Sequence, residues 1–407
     1  MKAVLLLIAL TGVAHAEQRK SVTLADALAA AAKAPQSAAP VAEIAVADAT
    51  AQAAGAWPSP SLRVATTRLT ARVVAGAALP LPVFGTVGAA RRHAAAEATV
   101  VRAQAGVELR ELRSRVVHAW IELARADGVL VASSIAAQHA AELEVIARGR
   151  KDAGVGADVD ITVAQAAKGR AEVDAIAAER GLEAASAELA GLLGWDPAQP
   201  LHADGGLFIG DAAALDTLRA KLLTHPAHVL AQGRVVAAET NLREVRAERW
   251  PAVALEAELQ YDDRSMTEGR TAWARTDAVV GISIELPIFA RVGDRARAAR
   301  AQQTVARMRL AVTDAELGAG LFATYRRWQA ATEKLQALER DVVPAQERAA
   351  ALSAQAFREG VRDLSSAVQA QRDLAVVQAE VNGARADAAA AFADLQLAAG
   401  EEVGRAR

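Results

Sequence analysis

The sequence predicts a mainly α-helical protein with a smaller membrane β-barrel part, built as two copies of one helix–hairpin–long helix–helix unit. Three observations predict this class: landmarks that recur in order, long alanine-rich helical segments, and short segments in which apolar residues alternate. Trp57-Pro58 recurs as Trp250-Pro251. The Leu-Pro-x-Phe stretch of residues 81–84 recurs at 286–289. Because a repeat fixes the architecture, the division into copies precedes every other assignment.

The first sixteen residues have the layout of a secretory signal peptide. Met1-Lys2 is a short basic start, an apolar run follows, and Ala14-His15-Ala16 matches a cleavage site. The apolar run is shorter than the roughly 20 residues that a membrane-spanning helix needs. We therefore expect residues 1–16 to be removed on export.

Composition excludes several classes of function. The chain has no cysteine, which excludes disulfides, cysteine–zinc sites and a lipid anchor on cysteine. The net charge of −2 and a pI near 6.4 give no basic footprint for nucleic acid. Aromatic residues make up only 3% of the chain and much of its 53% hydrophobic content is alanine, which favours closely packed helices.

Each copy is predicted to contain the same four elements in the same order. The first copy, residues 17–204, comprises a helix at 23–55, a β-hairpin at 58–84, and helices at 88–152 and 158–193. The second copy, residues 205–407, comprises a helix at 211–249, a β-hairpin at 251–289, and helices at 293–359 and 363–399.

The long helices show the apolar spacing of coiled coils. In the first copy the apolar positions step by three and four residues, at Leu109, Leu112, Val116, Trp120 and Leu123. Pro344 interrupts the second long helix, where we expect a local kink and not an end. Both long helices lead into glycine turns, at Gly154 and Gly360, after which Asp158 or Asp363 is placed to cap the next helix.

The hairpin segments alternate apolar and polar residues over about ten positions, which is typical of barrel strands with a lipid face and a wet face. Glu256, Glu258 and Glu285 fall on the polar side, and we expect them to face water in the barrel lumen. The second hairpin loop is 12 residues longer than the first, as an outward-facing loop tolerates. Four strands do not close a barrel, and an open edge in lipid leaves backbone groups unpaired, so a membrane location requires an oligomer. The alternative is a soluble sheet with one solvated face.

The repeated order of these elements resembles the TolC family of outer-membrane efflux channels. The resemblance covers Glu17 to about Gly400 and includes the opening helix after Val22, the Leu-Pro-x-Phe strand exits, the two glycine turns, and the Leu-Gly and Ala-Gly ends of the copies. It implies a homotrimer whose 12-stranded β-barrel continues as an α-helical barrel of coiled coils. The compact copies and the strand exits lean towards the heavy-metal branch of the family.

The resemblance also assigns candidate site residues near the two glycine turns. The positions that match adaptor-docking tips are Gly154, Val155, Gly360, Val361, Arg362, Leu364 and Ser365. The positions that match the narrow entrance, where the family often carries acidic residues, are Asp160 in the first copy and Ser366 and Gln369 in the second.

The implied function is the outer-membrane channel of a tripartite efflux pump, which passes metal cations or drugs from the periplasm to the outside. Its implied partners are two further copies of the chain, a periplasmic adaptor protein, an inner-membrane pump of the RND type, and outer-membrane lipid. Two alternatives stay open: an outer-membrane channel for type I protein secretion, and a soluble periplasmic coiled-coil scaffold or adaptor.

Neither an enzyme nor a cofactor is expected. No Ser-His-Asp set, Gly-rich phosphate loop or paired carboxylates with a pocket is evident in the sequence. His225 and His228 stand three residues apart, as metal ligands on a helix do, but a third ligand of the right type is not evident. We therefore interpret them as a surface pair and expect no metal site.

Overall fold

The computed structural model describes residues 19–67, 72–262, 275–287 and 292–404. The predicted signal peptide, both hairpin loops, and Ile288 and Phe289 of the second strand exit lie outside these residues. The chain divides into two compact units. The helical unit comprises Met1–Pro40, Glu108–His225 and Glu316–Arg407, and the sheet unit comprises Val41–Val107 and Pro226–Ala315.

Nine α-helices and six strands are present in the described residues. The helices are α1 (Leu24–Ala31), α2 (Pro35–Ala54), α3 (Thr86–Asp152), α4 (Asp158–Leu193), α5 (Leu215–Ala220), α6 (Pro226–Ala247), α7 (Val292–Ala337), α8 (Val343–Arg358) and α9 (Leu364–Ala398). The strands are β1 (Lys20–Val22), β2 (Ser61–Thr67), β3 (Arg72–Leu81), β4 (Leu201–Ala203), β5 (Ala252–Asp262) and β6 (Arg275–Glu285).

The helix predicted at 23–55 is two helices, because a proline divides it. Thr23 and Asp26 form a capping box that starts α1, with the Asp26 amide donating to Thr23 Oγ1 at 3.1 Å. Since the residue before a proline avoids the helical conformation, the chain breaks before Pro35 and α2 begins there. The sequence pattern missed this break because helix-favouring alanines continue across it.

The helix predicted at 211–249 is divided for the same reason. It consists of α5, one turn of 3₁₀-helix at Lys221–Thr224, and α6. His225 has an extended backbone with ψ of 135° immediately before Pro226, which opens α6.

Pro344 does not end the second long helix. Between α7 and α8 the backbone forms a π-helical turn over Leu338–Val342, and Pro344 lies in the first turn of α8. A proline removes one helical hydrogen bond and its ring crowds the carbonyl four residues earlier. The wider π turn accommodates both effects, so the chain stays helical on either side.

The core of the helical unit surrounds a short parallel strand pair that the sequence analysis did not predict. β1 pairs with β4, with Val22 opposite Ala203. Trp120 of α3 is buried against this pair and donates from Nε1 to the Val22 carbonyl at 2.9 Å. Strands of three residues are too short to produce a visible alternation, so tertiary contact with the helices specifies them.

α3 also contains one stretch that is long and apolar enough to cross a membrane by length and composition. The same helix supplies a large share of the helical unit's core, from Leu112 to Ala126. Only 17% of the stretch that meets this criterion is buried, and a single helix of this kind is weak evidence of a membrane span.

The sheet unit contains a four-stranded antiparallel sheet in the order β2-β3-β5-β6. β2 and β3 come from the first copy and β5 and β6 from the second, so the two predicted hairpins are joined through β3 and β5. Leu81 lies opposite Val253 at one end of this joint and Val73 lies opposite Tyr261 near the other.

Candidate functional site: the two-faced sheet and the paired helix turns

The register aligns the apolar residues of all four strands on one face of the sheet. This face is largely exposed: Leu62 is 80% exposed and Val280 is 73% exposed. A contiguous apolar surface of this kind is unusual on a soluble monomer and marks contact with a membrane or a partner. The face consists of Leu62, Val64, Thr66, Val73, Ala75, Ala77, Leu79, Leu81, Val253, Leu255, Ala257, Leu259, Tyr261, Thr276, Ala278, Val280, Ile282 and Ile284.

The structure places Glu256, Glu258 and Glu285 together on the opposite face. Glu256 lies across from Gly281, and Glu285 lies across from Ala252. Asp277 and Arg63 share this face by strand parity, so four acidic side chains accompany one basic side chain among those described there. The polar face therefore carries a negative charge, which attracts cations if water fills the space beside it.

Aromatic residues lie where the sheet meets the helices. The rings of Phe84 and Trp250 stack with centroids 5.3 Å apart and an interplanar angle of 9°. The guanidinium of Arg249 lies 5.1 Å from the centroid of the Trp250 ring. Trp57, the equivalent of Trp250 in the first copy, is 62% exposed. Amphipathic rings of this type favour the membrane–water interface.

The two glycine turns of the helical unit have the same backbone geometry. The Gly154 amide donates to the Lys151 carbonyl at 2.8 Å, and the Val155 amide donates to the Arg150 carbonyl at 2.9 Å. In the second copy the Gly360 and Val361 amides donate in the same pattern, at 3.1 and 2.9 Å. These are Schellman motifs, which need a left-handed residue; φ is +76° at Gly154 and +78° at Gly360.

Arg150 joins the two turns, and the sequence analysis did not identify it. Its Nη1 donates to the Phe357 carbonyl, and its guanidinium lies 5.0 Å from the centroid of the Phe357 ring. Nη2 lies 3.5 Å from the Val155 carbonyl oxygen. Phe357 is itself only 1% exposed, in a cluster with Leu143 and Leu364. A single side chain of α3 thus holds the end of α8.

Six of the seven predicted docking residues are exposed and one is not. Val155 is 67% exposed and Val361 is 75% exposed, and Gly154, Gly360, Arg362 and Ser365 are also exposed. Leu364 is 1% exposed, because the first turn of α9 points it into the cluster around Phe357. Leu364 therefore packs beneath the turn, and its part in docking stays a prediction.

Two of the three predicted entrance residues, Asp160 and Ser366, hold the starts of their own helices. Asp160 Oδ2 accepts from the Ala157 amide at 3.4 Å, so Ala157 and not Asp158 occupies the cap position of α4. Asp363 occupies the cap position of α9 as predicted, and the Ser366 hydroxyl donates to its carboxylate. This hydrogen bond lowers the pKa of Asp363. Gln369 is exposed and donates from Nε2 to Asp373 at 2.8 Å.

A buried carboxylate fastens α3 to α4 near the first turn. Glu144 is 8% exposed and accepts from Arg148 Nε at 3.1 Å. Lys168 Nζ of α4 lies 3.2 Å from the other carboxylate oxygen. The hydrogen bonds from Arg148 and Lys168 lower the pKa of Glu144, which therefore stays ionised at neutral pH.

The two histidines considered as metal ligands have separate partners. His225 Nε2 lies 3.2 Å from the Leu397 carbonyl oxygen, and His228 Nδ1 lies 2.6 Å from Asp314 Oδ1. Within the described part of the chain no group of three or more His, Cys, Asp or Glu side chains is placed to hold a metal ion.

Comparison with solved structures gives the same fold for nearly the whole chain. The outer membrane protein VceC of Vibrio cholerae aligns with a TM-score of 0.76 and 17% identity over 93% of this chain and 96% of VceC. CusC, which forms a transmembrane channel, aligns at 0.78 and 15% over 93% and 92%. The MtrE outer membrane channel of Neisseria gonorrhoeae aligns at 0.74 and 16% over 93% and 89%.

Curated sequences give a partial match. Protein CyaE of Bordetella pertussis (strain Tohama I) is 30% identical over 240 residues, which are 58% of this chain and 50% of CyaE. The chain thus spans about half the length of the curated relative it matches.

The fold of this chain is therefore the fold of these outer-membrane proteins. The family model of the outer membrane efflux protein matches residues 221–401, which lie in the second copy. The resemblance to the TolC family and the predicted fold class, mainly α-helical with a smaller β part, are confirmed.

Proposed function

We propose that this chain is the outer-membrane channel subunit of a tripartite efflux system, which passes small substrates, metal cations or drugs, from the periplasm to the outside. It works as a homotrimer with a periplasmic adaptor protein and an inner-membrane pump, and it lies in the outer membrane and extends into the periplasm. The inner-membrane pump of this system is of the RND type.

The two-faced sheet is the observation that carries this proposal. Its apolar face is exposed and its opposite face is acidic, which is the pattern of a barrel wall between lipid and water. A soluble scaffold would leave this apolar face in contact with water, and soluble monomers rarely expose an apolar surface of this extent. The exposed Val155 and Val361 at the paired turns supply the second part of the proposal, a contact surface for an adaptor.

Adjacent valines in the middle of β6 provide a matched test of the membrane assignment. Val280→Arg places a charge on the apolar face at mid-strand, where we expect a cost of about 2–4 kcal/mol for insertion and loss of the channel from the outer membrane. Val279→Arg is the control, because Val279 lies on the polar face and its charge meets water. Fractionation of cell envelopes and heat-modifiable trimer bands on gels measure both variants.

Equal membrane assembly of the two valine variants would contradict the barrel-wall assignment. A wild-type protein that remains in the soluble periplasmic fraction would favour the scaffold. The substrate class is measured in a deletion strain. If the deletion strain is sensitive to metal salts or drugs and the reintroduced gene restores resistance, efflux is supported. Loss of a secreted protein with unchanged sensitivity identifies the protein-secretion alternative.

A further inference from the structure

We infer the register in which the sheet edges of two copies of this chain pair: β6 of one copy lies antiparallel to β2 of the next, with Ile282 opposite Val64 of the partner subunit and Ser283 opposite the partner subunit's Arg63. This inference rests on the proposed trimer and specifies its interface. The sequence repeat and the strand registers within one chain determine this pairing.

The two copies of the hairpin are equivalent residue by residue. Trp57 corresponds to Trp250, so Ser61 of β2 corresponds to Ala254 of β5. The Leu-Pro-x-Phe exits correspond, so Ala78 of β3 corresponds to Ser283 of β6. The structure pairs Ser61 with Ala78 in the first hairpin and Ala254 with Ser283 in the second. Sequence landmarks and observed registers therefore give the same correspondence.

The joint between the copies supplies the template for the interface. In one chain β3, the exit strand of the first copy, pairs with β5, the entry strand of the second, with Ala77 opposite Ala257 and Ala78 opposite Glu256. In a closed ring the exit strand of the second copy, β6, pairs with the entry strand of the next chain, β2. Among the described strands β2 and β6 each have one neighbour and so leave one edge open.

Transfer of the template gives a chemically consistent interface. Ile284, Ile282 and Val280 meet Leu62, Val64 and Thr66 of the partner subunit, so the apolar face continues across the joint. On the polar face Glu285 meets the partner's Ser61 and is diagonal to the partner's Arg63, within reach of a long side chain. A shift of one residue in this register places apolar side chains against polar ones and is excluded by the pattern.

The absence of cysteine from the chain makes disulfide trapping a direct test. In the double variant Val64→Cys/Ile282→Cys the two positions of one chain lie on outer strands that are themselves roughly 14 Å apart, and the register displaces them further along the strands, which is too far for a disulfide. Across the inferred joint directly opposed Cα atoms are about 4.5–5.5 Å apart, which permits one. A second pair, Arg63→Cys/Ser283→Cys, lies on the polar face of the sheet. Directly opposed residues of antiparallel strands alternate between hydrogen-bonded and non-hydrogen-bonded pairs, so the two double variants test one pair of each kind.

The expected result is covalent dimers and trimers in boiled, non-reduced samples of both double variants, which collapse to monomer on reduction. The slipped pairs Leu62→Cys/Ile282→Cys and Thr66→Cys/Ile282→Cys are controls. Their thiols lie diagonally, with Cα atoms about 7–8 Å apart, and should not cross-link.

Each other outcome overturns one statement. If unboiled samples show trimers in the outer membrane but only a slipped pair cross-links, or no pair does, the register is wrong while the proposed function stands. If no trimer forms and the chain remains outside the membrane, the proposed function itself fails.

Discussion

At the residue scale, the contact of Arg150 with Phe357 is one that the sequence did not indicate. The repeat predicts functional residues at positions where the two copies agree, but the equivalent of Arg150 in the second copy is Ala356. An asymmetric link of this kind is visible only when the two turns are seen together. In the sequence, an arginine between Gly149 and Lys151 is typical of a solvent-exposed helix end.

We expect Arg150→Met to loosen the end of α8 by about 2 kcal/mol, because it removes a hydrogen bond from a charged donor to the Phe357 carbonyl. Amide hydrogen exchange of residues 356–362 should become faster. Arg150→Lys should be intermediate, since a lysine keeps the charge but not the planar stacking on Phe357. Arg358→Met, at an exposed position on the same turn, is the control and should leave the exchange unchanged.

His118 introduces a pH dependence into the packing of α3 on α9. Its Nε2 lies 2.9 Å from Asp394 Oδ1, and this hydrogen bond raises the pKa of His118 above 6.5, although burial opposes the shift. A raised folded-state pKa stabilises the fold below the unfolded value, and this stability is lost as pH rises through the folded-state pKa.

The His118→Gln variant should therefore be less stable than the wild type at pH 5.5. The difference should shrink towards pH 8, and it should stay under about 1 kcal/mol because both side chains are more than a third exposed. Thermal denaturation of the purified protein across this pH range measures the difference. A difference that is the same at both ends of the range would show that the His118–Asp394 pair is not the cause.

At the element scale, period and length predicted most of the helices and strands, and prolines produced the errors. The alternation in β5 and β6 is visible in the sequence because the large apolar residues other than Val279 all face the same way. The breaks before Pro35 and Pro226 were not anticipated because helix-favouring residues continue on both sides. Leu364 matches a docking position by resemblance, but its side chain is buried, because a resemblance fixes the position of a residue along the chain and not the direction of its side chain.

The glycine turns give a prediction with an internal control. Gly154→Ala and Gly360→Ala should each destabilise a turn by about 1–2 kcal/mol, because both glycines have a positive φ that an alanine resists. Gly360→Ala also brings a methyl group to 3.3 Å from Arg150 Nη1. We expect the resistance of the cells to the exported compounds to fall, while the protein still assembles in the membrane.

Gly149→Ala is the matched control for the turn variants. Gly149 lies inside α3, its φ is not positive, and a Cβ there meets nothing within 4 Å. The same substitution should raise helix stability by up to about 1 kcal/mol and leave resistance intact. Loss of resistance in this control, or none in the turn variants, would contradict a role of the turns in coupling.

At the scale of the whole molecule, the acidic face of the sheet predicts how the channel discriminates ions. The triple variant Glu256→Gln/Glu258→Gln/Glu285→Gln removes three of the acidic side chains on that face and should reduce the preference for cations, measured as a smaller reversal potential in planar bilayers under a KCl gradient. Arg63→Gln on the same face should change the potential in the opposite direction. Equal potentials in all variants would place these side chains away from the ion path.

The β3–β5 joint has a consequence for how many separate molecules must meet. Since one polypeptide already carries two hairpins in register, the proposed trimeric ring of six hairpins has three joints between separate molecules and not six. Covalent linkage makes the pairing of these two hairpins intramolecular without any new contact. The duplicated chain therefore makes half of the joints of the proposed ring independent of how much protein the cell exports.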